Sequence, residues 1–243
     1  MSFSQSIVAQ ISSQLSASLS LHPSSQWLQT FLTTQKPTTP LSSLLATARI
    51  RLLNSDLTSS TELSKTSILP GDVHNPELKE RRLPGPIALQ VLAVEDLTRS
   101  RWEQIEAIEA TERGEGTKGR EIVRVVADDE NGPEGSGANG RPTERGAPSS
   151  VSSSGYCKVL LQDAKGVKAW GIELKKLTGI GIGMSIGTKM IISNVLVARG
   201  VLLLEPSSSK LIGGKIEALH KVWAENRKTE LKAAIEADEA AGG

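Results

Sequence analysis

The chain has very little cysteine: Cys157 is the one cysteine among its 243 residues. A single thiol excludes an intrachain disulfide and any metal site built from several cysteines. Such sparse cysteine is typical of a protein from a reducing compartment.

Long apolar runs are lacking as well. No stretch approaches the roughly 20 apolar residues that a membrane-spanning helix needs. Residues 1–20 have no basic segment before an apolar core, so they do not predict a secretory signal. Their serine-rich, amphipathic and acid-free character leaves a mitochondrial transit peptide open. Such peptides are rich in arginine, however, and the first arginine here is Arg49.

The chain carries almost no net charge, with 28 Lys and Arg against 27 Asp and Glu. This balance excludes a polycation that coats nucleic acid. The charges are unevenly spread, because residues 155–223 contain ten basic and four acidic residues. A mildly basic region of this kind can meet phosphate or an acidic protein surface, and an ordinary lysine-rich surface looks the same.

Aromatic residues are scarce, at 3% of the chain. Barrels that bind single-stranded nucleic acid stack the bases on aromatic side chains along their strands. The strand-forming region offers only Tyr156 and Trp170 for this purpose. Weak single-strand binding stays open, but a dedicated single-strand binder is disfavoured.

Catalytic and cofactor motifs are also missing. GIGIGMSIG at 179–187 suggests a nucleotide loop, but position 186 is Ile where the third glycine belongs, and no Lys-Ser/Thr pair follows. His22, His74 and His220 lie far apart in the sequence without zinc-ligand spacing. Neither a GxSxG elbow nor an HExxH pair occurs. We therefore expect no enzyme activity, no cofactor and no metal.

Residues 4–54 predict three helices. Apolar residues recur every four positions from Phe3 to Leu19, which places them on one face of a helix. For the third helix we expect Thr39 as N-cap and Pro40 at the first helical position. Three short apolar faces predict a small bundle that leans on the domain after it.

The later part of the chain predicts five strands, at 87–94, 156–161, 167–174, 189–197 and 200–204. The last of them contains Val201–Leu204, a continuous apolar run, so we expect both of its faces to be buried. A turn is expected at Ala198–Gly200, a glycine-rich connector at 175–187 and a helix at 215–235. This pattern favours a small closed barrel.

Residues 112–154 have a different composition. Apart from IVRVVA at 122–127, they consist mainly of Gly, Pro, Ser, Glu and Arg, which cannot bury enough surface to offset the entropy of ordering. We predict a disordered insertion between the first and second strands, preceded by a helix bearing Trp102 and capped by Thr98 or Ser100.

The predicted fold class is thus α+β. It comprises an N-terminal three-helix bundle (1–65) and a five-stranded oligonucleotide-binding (OB) fold barrel (83–225) that carries the long insertion. A C-terminal helix and acidic tail (226–243) end the chain.

Four segments carry a more specific pattern: KVLLQDAKGVKAWGIEL, SIGTKMIISNV, RGVLLLEP and KLIGGKIEAL. Together with Trp27-Leu28 and LPGPIALQVLAVEDLTRS, they resemble the RecQ-mediated genome instability protein family over residues 25–225. The resemblance implies a nuclear, non-catalytic subunit that joins a type IA topoisomerase (topoisomerase III) and a RecQ-type helicase. It also implies promotion of decatenation and double Holliday junction dissolution, with weak DNA contact possible.

In that family, a loop between the first two barrel strands reaches toward the central hole of the topoisomerase and tunes gate opening. The predicted insertion occupies this position. Larger animal members carry a second barrel that recruits a further small subunit, whereas this chain ends soon after its first barrel and resembles the compact fungal form. Two alternatives remain: the related tudor-type topoisomerase partner, and a free-standing OB-fold protein that binds single-stranded nucleic acid.

We predict partner-binding residues among the basic positions expected near strand ends and connectors. These are Lys168, Lys175, Lys176, Lys189 and Arg199. Trp102 and the insertion residues Ile122 and Val123 complete the predicted set. An acidic topoisomerase surface is favoured over DNA as their target, because stacking aromatics are few and the chain is nearly neutral.

Overall fold

The computed structural model describes residues 5–113 and 155–242, with side chains described up to residue 240. The helices are α1 (Gln5–Leu19), α2 (Ser25–Thr33), α3 (Leu41–Leu53), α4 (Leu57–Ser60), α5 (Arg101–Glu112) and α6 (Glu217–Gly242). The strands are β1 (Glu80–Leu83), β2 (Ile87–Asp96), β3 (Cys157–Asp163), β4 (Lys168–Glu173), β5 (Lys189–Ile192), β6 (Val195–Ala198), β7 (Val201–Leu204) and β8 (Ser209–Gly213).

The three predicted N-terminal helices are confirmed as α1, α2 and α3. The start of α3 differs by one residue from the prediction, since Pro40 occupies the N-cap position and Leu41 begins the helix. The one-turn helix α4 was not predicted. Its N-cap is Asp56, whose carboxylate accepts a hydrogen bond from the Thr58 backbone N–H at 2.8 Å.

The described residues form eight strands where the sequence predicted five. The additional strands are β1 and β8 at the two edges, and the predicted strand 189–197 is divided into β5 and β6. The division falls at Ser193-Asn194, where Asn194 has a φ of 54°. Asparagine tolerates this left-handed conformation better than most residues, so one apolar run makes two strands that join different neighbours.

The eight strands form one curled sheet in the order β1-β6-β7-β4-β3-β2-β5-β8. The long strand β2 is shared, because its first half pairs with β5 and most of its length with β3, with a bulge between Val91 and Ala93. The β6–β7 hairpin turns through Arg199 and Gly200, which both have positive φ, so the predicted turn is confirmed. These features give the half-barrel of an OB fold.

Alternation along the strands separates an inner from an outer face. On the inner face, Val159, Leu161, Leu202 and Leu204 are completely buried in the barrel core. In β7 only alternate residues are buried, so the expectation that Val201–Leu204 is buried on both faces is wrong. The run lies near one edge of a half-barrel, and its second face has no covering layer among the described residues.

A second core lies between the helices α1–α4 and one part of the sheet. Leu15, Leu28, Leu44 and Leu52 are buried within it, and Ala88 of β2 contributes from the sheet. We call this layer of helices the cap. Its core meets the outer face of the sheet, which is why the small bundle does not stand alone.

Polar contacts fix the cap on the sheet. The Gln90 side chain accepts a hydrogen bond from the Leu57 N–H at 3.0 Å and donates to Asp56 and Gln162. On the other side, the Lys215 N–H donates to the Asn54 side chain at 2.9 Å. The bond between Leu57 and Gln90 satisfies two groups that burial would otherwise leave unpaired, whereas the bond between Lys215 and Asn54 is exposed.

Residues 114–154 separate β2 and α5 from β3 in the chain, which confirms the position of the insertion; its predicted disorder lies outside the described residues. The helix before it, α5, has Ser100 as its N-cap, which was one of the two predicted caps. Ser100 forms a reciprocal capping box with Glu103. Helix α6 extends beyond the predicted 215–235 and packs on α5, with Lys228 within 3.1 Å of Glu109 and 2.8 Å of Glu112.

Candidate partner-binding surface

The outer face of the sheet has two halves with different surroundings. On β2, β5 and β8, the outward residues Ala88, Ile191 and Ile212 pack into the cap. On β3, β4, β7 and β6, the outward residues face away from the barrel core, and no described helix packs closely against β4, β6 or β7. We call this second half the open face.

The open face is apolar. Its large apolar outward side chains are half-buried: Leu160, Trp170, Ile172, Leu196, Val201 and Leu203. Lys158, Gln162 and Lys168 are the outward polar residues of β3 and β4, and Lys158 stands beside Ile172. The strand register places them in two rows, with Leu160, Trp170 and Val201 in one row and Ile172, Leu203 and Leu196 in the other. Outward positions of an antiparallel sheet that meets water are usually polar, so two apolar rows need an explanation.

The apolar area extends beyond the second row, past the end of β4. Leu174 is 48% exposed and, with Leu196 and Leu203, lines a shallow groove of about 190 Å³. Arg82 and Glu205 stand at the polar wall of this groove. The open face therefore combines a flat apolar area with a small depression at one end.

Basic residues surround the open face. Lys168 and Arg199 are exposed at strand ends, and Arg82 extends from the edge strand β1. Lys175 is exposed beside β4 and lies 3.4 Å from the Glu205 carboxylate. Three of the predicted partner-binding residues, Lys168, Lys175 and Arg199, thus lie at the border of one surface.

Lys176 has a structural role in the folded chain. Its ammonium donates to the Gly155 carbonyl at 2.7 Å and to the Glu173 carboxylate at 3.0 Å. That carboxylate is buried and also accepts from the N–H groups of Cys157 and Leu177, both at 2.8 Å. Lys176 therefore neutralises a buried acid that ties the start of β3 to the end of β4.

Lys189 was expected to be exposed, and the structure corrects this prediction. The side chain is completely buried, and its ammonium donates to the Gly187 carbonyl at 2.7 Å. Burial lowers the pKa of Lys189 from 10.5 to about 8, with Asp56 acting in the opposite direction. The sequence misleads here because Lys189 lies on the same face of β5 as Ile191, and this face is covered by the cap, which only the folded structure reveals.

Trp102 lies apart in sequence from the other predicted residues, on the first turn of α5, and 63% of it is exposed. Ile122 and Val123 lie outside the described residues. The apolar side chains of the open face were missed, because Leu203 was assigned to the core and Leu160, Ile172 and Leu196 were not considered. No alternation of polar and apolar residues marks them, since VLL at 159–161 and AWGI at 169–172 are continuous non-polar runs.

The two aromatic residues that the strand region offers for base stacking differ in accessibility. The Lys158 ammonium lies 3.8 Å from the centre of the Trp170 ring, which is the geometry of a cation–π contact. A base that stacked on that side of the ring would have to displace the lysine. Tyr156 is 48% exposed at the start of β3. The open face therefore offers little aromatic surface for nucleic acid.

Among the described residues, we examined the cysteine thiol as a nucleophile and the His, Cys, Asp and Glu side chains as metal ligands. Cys157 is completely buried, and burial raises the pKa of its thiol to about 11, so it is not a nucleophile. Within residues 5–113 and 155–242, no group of His, Cys, Asp and Glu side chains could hold a metal ion.

None of the described helices combines the length and the apolarity needed to cross a membrane.

A helical cap on an OB-fold half-barrel defines the class of the chain as a helix-capped OB-fold protein. Two family models match it: "RMI1, N-terminal helical domain" at residues 15–60 and "RMI1, N-terminal OB-fold domain" at residues 61–227. The second match covers more than half of the chain, so the chain belongs to the RMI1 family, and the resemblance found in the sequence is confirmed.

A relative from Schizosaccharomyces pombe is named RecQ-mediated genome instability protein 1. It is 28% identical over 216 residues, which make up 87% of this chain and 90% of the relative. The chain is therefore an OB-fold member of a genome-stability family.

Proposed function

We propose that this chain is the non-catalytic subunit of a complex between a type IA topoisomerase (topoisomerase III) and a RecQ-type helicase. It binds the topoisomerase and promotes decatenation and double Holliday junction dissolution in the nucleus. The observation that carries the proposal is the match of both the cap and the barrel to the RMI1 family, together with a relative named for RecQ-mediated genome instability.

The mechanism requires no chemistry from the chain itself. A type IA topoisomerase cuts one strand and holds the ends apart in an open-gate state. A partner that binds the open state more tightly than the closed state shifts the equilibrium by the difference between the two affinities. The open state then lasts longer, and more strands pass through the gate in each cycle.

The architecture suits a rigid partner of this kind. The cap is fixed to the barrel by a shared apolar core and by the Gln90 hydrogen bonds, so both can present one continuous surface. A ligand that binds as a rigid body loses little conformational entropy, which leaves more of its contact energy for discriminating the two gate states.

The proposal is tested with the purified chain and the topoisomerase III of its own organism. We expect the topoisomerase to retain the chain at moderate salt, and the chain to increase the rate of decatenation over topoisomerase alone. The competing function, a free-standing single-strand binder, predicts no topoisomerase binding and an affinity for single strands that falls steeply with salt. That pair of results would overturn the proposal.

The helicase is tested separately. Pull-down of the RecQ-type helicase with and without topoisomerase distinguishes a direct contact from one bridged by the topoisomerase. Fluorescent tagging tests the nuclear location. Retention of the chain outside the nucleus would contradict that part of the proposal.

A further inference from the structure

The outer face of the sheet contains apolar residues in both of its halves, but only one half is covered. Ala88, Ile191 and Ile212 are in contact with the cap, as expected for apolar residues on a sheet. The side chains of the two open rows are half-buried, as Ile191 and Ile212 are, but no described helix packs closely against β4, β6 or β7. Contiguous apolar area left at the surface of a folded domain marks an interaction site.

The charges around the open face indicate what covers it. Arg82, Lys168 and Arg199 are exposed at its border, and none of them is within salt-bridge distance of a described acidic group. Lys158 and Lys175 add two more cations, which have Glu95 and Glu205 as neighbours, and Glu80 on β1 is an exposed acid at the same border, so basic groups predominate there. The surface that fits here is apolar at its centre and acidic at its edge.

Nucleic acid fits this face less well than protein does. Phosphates would match the basic border, but they would lie against leucine and isoleucine side chains that they cannot satisfy. The one aromatic ring of the two rows, Trp170, is covered on one side by the Lys158 ammonium. Protein interfaces, in contrast, combine an apolar centre with a charged rim.

We propose that the open face is the surface through which the chain docks on the topoisomerase, at a site on that enzyme with an apolar centre and an acidic rim. The assignment rests on the proposed function and adds the residues that carry it. Leu203 lies in the middle of the second row, between Ile172 and Leu196 in the register, and it also lines the groove. Leu203 is therefore the central contact.

The decisive variant is Leu203→Glu. It places a carboxylate in the centre of the apolar area, opposite the acidic rim of the partner. We expect topoisomerase affinity to fall at least about tenfold, as for the loss of a central interface residue. The matched control is Val222→Glu on α6, where the original side chain is 54% exposed and lies outside the open face. We expect this control to bind like the unchanged chain.

A second variant tests the open face without replacing an apolar side chain, so it leaves the packing of the fold unchanged. Lys168→Glu reverses an exposed charge at the border, where the side chain packs against no core. We expect slower association with the topoisomerase and a weaker dependence of the association rate on salt. Circular dichroism and thermal unfolding of both variants verify that the fold is intact.

The outcomes separate this inference from the proposed function. If the unchanged chain binds topoisomerase and both Leu203→Glu and Lys168→Glu bind equally well, the open face is not the docking surface, while the function stands. If the unchanged chain binds no topoisomerase, both proposals fail. If Leu203→Glu changes only the mass of the free chain in light scattering, the face joins two copies of the chain, and the inference is overturned. Loss of single-strand binding with unchanged topoisomerase affinity would likewise overturn it.

Discussion

The covered and open halves of the sheet are made from similar residues, but the cap packs on one half and no described helix packs on the other. In the covered half, the cap excludes water from Ala88 and its neighbours, so these residues contribute to the stability of the chain itself. In the open half, Leu203 and its neighbours keep part of their surface in water. The difference teaches that apolar surface in this domain serves two purposes: folding on one side, and association on the other.

The largest effect is expected from placing a charge in each half. Ala88→Glu puts a larger, charged side chain under the cap at a position that is 2% exposed, and we expect a loss of at least about 3 kcal/mol in the free energy of unfolding. Leu203→Glu leaves its carboxylate in contact with water, and we expect a loss of about 1 kcal/mol or less. Urea unfolding of both variants measures the difference. Equal losses would show that the open face is covered within the chain.

The next largest effect compares the two faces of one strand. Leu202 is completely buried, so Leu202→Ala should cost about 2–5 kcal/mol in unfolding free energy through lost burial and a cavity. Leu203→Ala removes a side chain that is only half-buried, and we expect roughly 1 kcal/mol. Thermal and urea unfolding measure both values. The reverse order would mean that the strand register assigned here is wrong.

A smaller effect is expected where the chain after β8 contacts the end of α3 in the cap. Gly214 has a φ of 100°, and a Cβ there would overlap the Leu53 carbonyl oxygen at the end of α3. Gly214→Ala should therefore cost about 1–3 kcal/mol, because it strains the backbone and pushes the cap from the sheet. Gly183→Ala is the control, since a Cβ at Gly183 meets open space. Similar losses of unfolding free energy for both variants would exclude a specific role for the close contact between Gly214 and Leu53.

The last effect depends on pH and concerns the buried Lys189. Because burial lowers its pKa to about 8 in the folded chain, the unfolded chain binds more protons between about pH 8 and pH 10.5. The cost of burying the ammonium is fully present below pH 8 and disappears as the pH rises through this window. Lys189→Met should thus unfold at a higher urea concentration than the unchanged chain at pH 7, and the gap should shrink toward pH 10. A gap independent of pH would contradict the lowered pKa.

Much of the fold follows from local sequence pattern. The apolar spacing of the first three helices, the capping box at Ser100 and the turn at Arg199-Gly200 are local features, and each predicted its element correctly. The family was also readable, because its specific segments are continuous in the sequence. Local pattern failed at Asn194, where a single left-handed residue divides one apolar run between two pairs of neighbouring strands.

The candidate surface was only partly predictable. Lys168, Lys175 and Arg199 were selected by composition and position, and the fold does place them around one face. Lys189 was selected on the same grounds and is buried, because the sequence shows that a lysine is present in a strand but not that the cap covers its face of the sheet. Whether Ile122 and Val123 contribute stays a prediction.

By itself, the sequence determined the three N-terminal helices, α5, most of the strands, the position of the insertion and the family, since propensity, capping and periodicity act over a few neighbouring residues. Only the tertiary structure decided which apolar residues became core and which remained at the surface. Leu202 and Leu203 are identical as residues, and they differ only because the barrel lies on one side of the strand and no described layer lies on the other. Burial depends on contacts between strands that are distant in the chain, so it is settled by the register and by where the cap docks.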